Sequence, residues 1–359
     1  MRNFYIFVLA AVVLLSGGCN DPVFYDISKE EKVRESRIPG SPTRFAELNG
    51  YMYVASGNDL YRYKDGKWDT INLNYGKIAS IAATNSKLYI LCDISDTFSL
   101  RESTNGSDFS TIATDSIPMH SIFTANNTLF IGMGDVNSQY IQYLDNNTLK
   151  KVVDTGKDYL CGAVYSGSNY YFCVKDHVTT NGGGIYTTSN LSTLATLVSG
   201  SNGIPFVGII ILPTSNNVAA IDRDGKLYTV IGSGVTFNKS MGRTASGVLA
   251  IWEDSGGNSK LLLAGRQDMI VSTTSGYTFG YMELEIDNSG IVSNASFVDP
   301  GINMLSTVKD NALYNATLGK LPVNDIFQAS DGVLFASTVT KGVWSYRVRD
   351  GRAQWNAEE

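Results

Sequence analysis

The stretch Leu60-Tyr61-Arg62-Tyr63-Lys64-Asp65-Gly66 decides how the chain is read, because an apolar residue opens a β-forming run and a polar turn follows at a fixed distance. The arrangement returns at Leu100-Arg101-Glu102-Ser103-Thr104-Asn105-Gly106, Ile141-Gln142-Tyr143-Leu144-Asp145-Asn146-Asn147, Ile185-Tyr186-Thr187-Thr188-Ser189-Asn190 and Leu227-Tyr228-Thr229-Val230-Ile231-Gly232. Two further copies are Ile270-Val271-Ser272-Thr273-Thr274-Ser275-Gly276 and the longer Trp344-Ser345-Tyr346-Arg347-Val348-Arg349-Asp350-Gly351. Successive anchors lie 40, 41, 44, 42, 43 and 74 residues apart. A period near 42 matches one four-stranded propeller blade, which takes about 40–50 residues.

Working outward from each anchor, a β-rich run lies upstream, as in Tyr51-Met52-Tyr53-Val54, Leu88-Tyr89-Ile90-Leu91 and Val333-Leu334-Phe335-Ala336. A shorter run precedes that one, and an apolar residue after each turn (Trp68, Phe109, Leu149, Leu194, Phe279, Trp355) opens a fourth strand. Four short strands separated by Gly, Asn and Asp turns, with no long 3.6-residue periodicity, predict an all-β chain of antiparallel blades. Asp224-Gly225 reads as a two-residue hairpin turn. The expected architecture is a seven-bladed β-propeller over residues 43–359, with blades near 43–75, 76–115, 116–156, 157–202, 203–243, 244–287 and 322–359. The long last gap is assigned to an insertion at 288–321, a short eighth blade being the alternative.

The chain opens with Arg2 and a charge-free run over residues 4–15, too short to span a bilayer, which takes about 20 apolar residues. Leu15-Ser16-Gly17-Gly18-Cys19 then resembles the lipobox of bacterial lipoproteins in its relaxed, spirochaete-type form, with Ser16 in the place usually held by Leu. That resemblance implies a signal peptide over 1–18, lipidation of Cys19 and a location in the cell envelope, on the periplasmic face or the outer-membrane surface. An ordinary secretory signal with an incidental cysteine is the alternative. Residues 19–42, with the charged run Lys29-Glu30-Glu31-Lys32-Val33-Arg34-Glu35 and the end Pro39-Gly40-Ser41-Pro42, read as a tether.

Ser103-Thr104-Asn105-Gly106-Ser107-Asp108-Phe109 and Ser272-Thr273-Thr274-Ser275-Gly276-Tyr277-Thr278-Phe279 resemble degenerate Asp-boxes of sialidase-type propellers. In that family the box is a structural turn remote from catalysis, so the resemblance implies fold and not activity. Such an enzyme would also need an arginine cluster and a Tyr–Glu pair. The chain has only 12 Arg, and none falls in a matching motif.

Among 359 residues, 43% are hydrophobic and the net charge is −6, which excludes a disordered chain and leaves no basic footprint for nucleic acid. Histidine chemistry has two residues to draw on, His120 and His177, and both read as strand or surface positions. Gly182-Gly183-Gly184 precedes a strand and so lacks the helix N-terminus of a phosphate cradle. No Cys/His spacing implies a metal, and no cofactor is expected. Cys161 and Cys173 fall on two runs expected to form a hairpin, where they either bridge as a disulfide or pack as buried thiols. Aromatic binding candidates are Trp252, beside the polar loop 253–259, and Tyr314 in the insertion.

These features imply a monomeric propeller acting as a non-catalytic interaction or scaffolding module, with an envelope or extracellular protein as partner. A carbohydrate-binding or sialidase-like carbohydrate-cleaving propeller is the alternative, with a glycan as partner.

Overall fold

A computed structural model describes residues 36–95, 97–135, 137–176, 182–213, 215–240, 245–253, 257, 259–265, 281–286, 323–349 and 352–358. The export segment with Cys19, His177, the anchor at Ile270, Phe279 and the 288–321 insertion with Tyr314 lie outside the described residues.

Seven antiparallel sheets follow one another along the chain. Blade one comprises β1 (Ala46–Leu48), β2 (Tyr51–Ser56), β3 (Asp59–Lys64) and β4 (Lys67–Asn72). Blade two is β5 (Lys77–Ala83), β6 (Leu88–Ile94), β7 (Thr97–Ser103) and β8 (Ser110–Asp115). Blade three is β9 (Met119–Ala125), β10 (Thr128–Asp135), β11 (Ser138–Asp145) and β12 (Thr148–Gly156). Blade four is β13 (Asp158–Ser166), β14 (Asn169–Asp176), β15 (Gly183–Thr188) and β16 (Thr196–Leu197). Blade five is β17 (Phe206–Ile211), β18 (Val218–Asp222), β19 (Lys226–Ile231) and β20 (Gly234–Ser240). Blade six shows β21 (Ala245–Glu253), β22 (Ser259–Gly265) and β23 (Tyr281–Glu285) among the described residues. Blade seven is β24 (Val323–Gln328), β25 (Leu334–Thr338), β26 (Val343–Arg349) and β27 (Arg352–Ala357).

The repeat anchors owe their regularity to burial. Leu60, Leu100, Ile141, Ile185, Leu227 and Trp344 all sit on the third strand of their blade and are 0–3% exposed. Each blade presents apolar residues on both faces, so its hydrophobic surface is covered only when a neighbour stacks on it. The first strands β1, β5, β9, β13, β17, β21 and β24 pack in succession around the axis. The cores are correspondingly shared: Leu60 and Tyr53 of blade one cluster with Ile78, Ile81, Leu88 and Ile90 of blade two.

Turn chemistry holds the registers. Asn49-Gly50, Asp65-Gly66, Asn126-Asn127, Asn146-Asn147 and Gly167-Ser168 have positive φ at both positions, as type I′ hairpins require. Asp224-Gly225 departs from its sequence reading. Between β18 and β19 the loop is Arg223-Asp224-Gly225, and within it only Gly225 is left-handed, at φ +76°. The Asp222 carboxylate accepts the Lys226 N–H at 2.8 Å and stabilises this longer turn.

In blade six β22 pairs with Tyr281–Glu285 in the register Leu261↔Leu284, and the anchor at Ile270 lies outside the described residues.

The end of the tether read over 19–42 instead belongs to the propeller, whose compact unit begins at Ser36. Ile38 is fully buried, Arg37 N–H donates to Glu358 O at 2.7 Å, and Gly40 bridges Lys341 in parallel. Residues 36–40 thus lie along the last blade and close the ring non-covalently. The pairing joins residues about 300 positions apart, which no local composition signals.

Candidate functional site

In each meander the first strand begins, the second ends and the third begins at one edge, so those ends share a face, here the upper face. The lower face carries the tight two-residue turns just described. Among the described connections the eight residues between β16 and β17 lie on the upper face, while residues 104–109, 189–195 and 329–333 form longer turns on the lower face.

A second regularity marks the upper face. In blades two, three, four, five and seven the innermost strand carries a one-residue bulge near its start, at Ala79, His120, Cys161, Val207 and Asn324 respectively. A bulge turns a side chain out of the regular alternation and increases the local twist, and such features gather at the rims of closed β structures. Here they ring the axial mouth.

Into that mouth opens a cavity of about 750 Å³, lined by residues 39–44, Ser56, Gly57, Lys77, Ile78, Ala79 and Asn324. Asn324 fastens its wall, its Nδ2 donating to Ser41 Oγ at 3.0 Å and Pro42 O at 3.2 Å. Its charged lining residues are both cations, Arg44 and Lys77. The Arg44 guanidinium stacks over the Phe123 ring of blade three, 4.9 Å from its centroid. Beside it the enclosed Asp325 carboxylate accepts the Phe45 N–H at 2.8 Å. Burial pushes the Asp325 carboxyl up to about 6, against the opposing pull of Arg44 and of backbone donors.

This shift has a sign. A carboxyl that holds its proton more tightly folded than unfolded makes stability fall as pH rises from about 4 to about 6, by on the order of 1–3 kcal/mol. Asp325→Asn is expected to remove that part of the slope. Urea midpoints of both proteins at pH 4, 5, 6 and 7 check it, and parallel curves would contradict it.

The sequence candidates lie as follows. Cys161, displaced by its bulge, brings its Sγ to 3.0 Å from Cys173 Sγ, both being buried free cysteines here. Burial and the neighbouring Cys161 raise the Cys173 thiol well above its ordinary value. His120 Nε2 bonds Gly134 O at 2.7 Å, and its ring meets Tyr159 edge-on at 4.7 Å. Trp252 is the penultimate residue of β21 and so lies toward the lower face, half-buried against Tyr346 of blade seven with Lys260 over its ring at 5.3 Å. It is therefore not brought together with the axial cavity. Arg44, Lys77 and Asn324 were not singled out by sequence, and their types and spacing carry no signal that could have found them.

The turn at residues 103–109 is built around Asn105, whose Oδ1 accepts the N–H groups of Ser107 and Asp108, each at 2.9 Å. Gly106, at φ +76°, lies directly under the Tyr53 ring, where an added Cβ would fall 2.0 Å from the hydroxyl. The turn thus helps fix blade two on blade one. Among the described residues no group of three or more His, Cys, Asp or Glu could hold a metal ion.

Seven radially stacked meanders define a seven-bladed β-propeller. No known family and no curated protein matches the sequence. Solved structures do match its shape. The chain is similar to YCF48 bound to a D1 peptide, with a TM-score of 0.55 and 14% identity over 88% of this chain and 94% of that one. It is similar also to the WD40 propeller of Doa1, with a TM-score of 0.57 and 9% identity over 89% and 95%. A third likeness is to the GH74 enzyme of Niastella koreensis, at 0.59 and 15% over 89% of this chain and 55% of that one, so the chain spans about half of that enzyme. At these identities the similarity concerns the fold alone.

Proposed function

We propose that this chain is a non-catalytic interaction module, an envelope lipoprotein anchored through Cys19 whose propeller binds another envelope or extracellular protein on its upper face. The observation that carries the reading is the cavity on that face, whose charged lining residues, Arg44 and Lys77, are both cations. A rigid ring that displays variable loops on one side is a common way to build a binding surface. Consistent with it, one structural neighbour is a propeller with a peptide bound and another is a WD40 propeller.

A second reading, carbohydrate cleavage, has one observation behind it: the Asp325 carboxyl at about 6 lies in the range of a general acid. Hydrolysis of that kind needs a second carboxylate facing the first across the substrate. The cavity lining contains none, and Asp325 is already engaged by Phe45 N–H.

Cross-linking in intact cells, followed by capture of the anchored protein, tests the proposal. One envelope protein is expected to be recovered reproducibly, and reversal of upper-face charge by Lys77→Glu with Arg223→Glu should reduce its recovery at least tenfold. Lys64→Glu, on the lower face, should not. Cys19→Ser should move the protein from the membrane to the soluble fraction. Equal recovery with both charge reversals, or recovery of nothing specific, would sink the reading.

A further inference from the structure

We propose that the axial cavity is a carboxylate-binding pocket that receives an acidic side chain of a peptide segment, with Arg44 as its principal donor and Lys77 at its rim. This deepens, and rests on, the interaction-module reading above. The argument begins with charge. In a chain of net charge −6, a cavity whose charged lining residues are both cations runs against the overall field and needs a local reason.

Among the described residues Arg44 and Lys77 make no side-chain hydrogen bond and no close ion pair, whereas Lys87, Lys150, Lys151, Arg62 and Arg347 are each paired with a carboxylate. Asp325 lies near enough to influence Arg44, but its Oδ2 is held by Phe45 N–H and it does not reach the guanidinium.

The pose of Arg44 suits the role. The cation–π contact with Phe123 fixes where the guanidinium sits, and none of its N–H groups donates a hydrogen bond among the described residues. Those donors match the two oxygens of a carboxylate in a bidentate pair, while Lys77 adds a mobile point charge.

The surroundings favour a peptide over an acidic sugar. The lining combines backbone of residues 39–43 with Ile78 and Ala79, and it has no aromatic ring on which a sugar would stack. Its volume of about 750 Å³, open to solvent, is enough for one acidic side chain and its flanking peptide units.

The test uses the purified chain and three probes: fluorescent hexaglutamate, hexaglutamine of the same length, and a hexauronate oligosaccharide of the same charge. Hexaglutamate is expected to bind saturably and to weaken as salt is raised, and hexaglutamine is not expected to bind. Arg44→Gln should weaken hexaglutamate at least ~10-fold and Lys77→Gln ~3-fold, as loss of a charge-assisted pair and of a rim charge imply. Arg44→Lys, which keeps the charge and loses the fork, should fall between wild type and Arg44→Gln. Lys64→Gln should bind as wild type, and thermal unfolding of each variant verifies that it remains folded.

Unchanged hexaglutamate binding by folded Arg44→Gln overturns the pocket. Tighter binding of the hexauronate than of hexaglutamate overturns the peptide assignment. The two proposals fail separately: a partner still captured from cells by Arg44→Gln removes the pocket and leaves the module, whereas Arg44-dependent hexaglutamate binding without a captured partner does the reverse.

Discussion

Phe335→Ala is expected to destabilise the propeller by about 3–5 kcal/mol, the range for emptying a buried aromatic site. Phe335 is fully buried in the middle of β25, at the seam where the last blade meets the first. Its ring packs edge-on against Tyr63 at 4.7 Å and Trp68 at 5.7 Å, both from blade one, and lies 6.3 Å from Phe45. The guanidinium of Arg347 lies 5.6 Å from the same ring, and its Nη2 donates to the Tyr63 hydroxyl at 3.2 Å. Removing the ring therefore takes away contacts that blade seven makes with blade one. These are the contacts that convert a row of blades into a closed toroid, and the surrounding aromatics are too rigid to collapse fully into the space. Urea unfolding measures the loss, and a change below about 1 kcal/mol would show that closure does not depend on this cluster.

Gly342→Ala is expected to act on the same closure from the backbone side. Gly342 has φ +73°, and a Cβ there would stand 1.9 Å from Ile38 O and 2.7 Å from Ser36 Cβ. The left-handed conformation alone costs an alanine about 1–2 kcal/mol. The clash adds to this, because the obstructing atom is a backbone carbonyl of the segment that seals the ring and cannot swing aside. Relief requires residues 36–40 to leave blade seven, with loss of the Gly342 N–H bond to Gly40 O at 3.0 Å and of the Arg37 bond to Glu358. Gly332→Ala is the control, since Gly332 has φ +83° with nothing within 4 Å of the added atom, so that only the conformational cost remains. Hydrogen exchange at residues 37–40 should become fast in Gly342→Ala and stay slow in Gly332→Ala. Equal protection in both would contradict the closure role.

Much of the ring was legible before any coordinates. The third-strand anchors from Leu60 to Leu227 recur because each is the most buried position of its strand, and Asn-Gly or Asp-Gly pairs appear where both turn residues need positive φ. The candidate site was far less legible. Trp252 drew attention as a large aromatic beside a polar loop, yet burial against Tyr346 and the stack with Lys260 account for it. Cys161 and Cys173 were placed opposite one another by the hairpin, but the bulge that brings their sulfurs to 3.0 Å leaves no trace in residue type.

By itself the sequence determined the strand period, the turn chemistry, the antiparallel meander and the count of seven, because those depend on interactions between residues close along the chain. Tertiary structure alone decided that residues 36–40 seal the last blade and that Arg44 reaches Phe123 above a cavity shared by blades one, two and seven. Each of these is a contact between segments separated by one blade or more. Such contacts arise only when the ring closes, and a closed ring imposes no local pattern on the residues that meet at its axis.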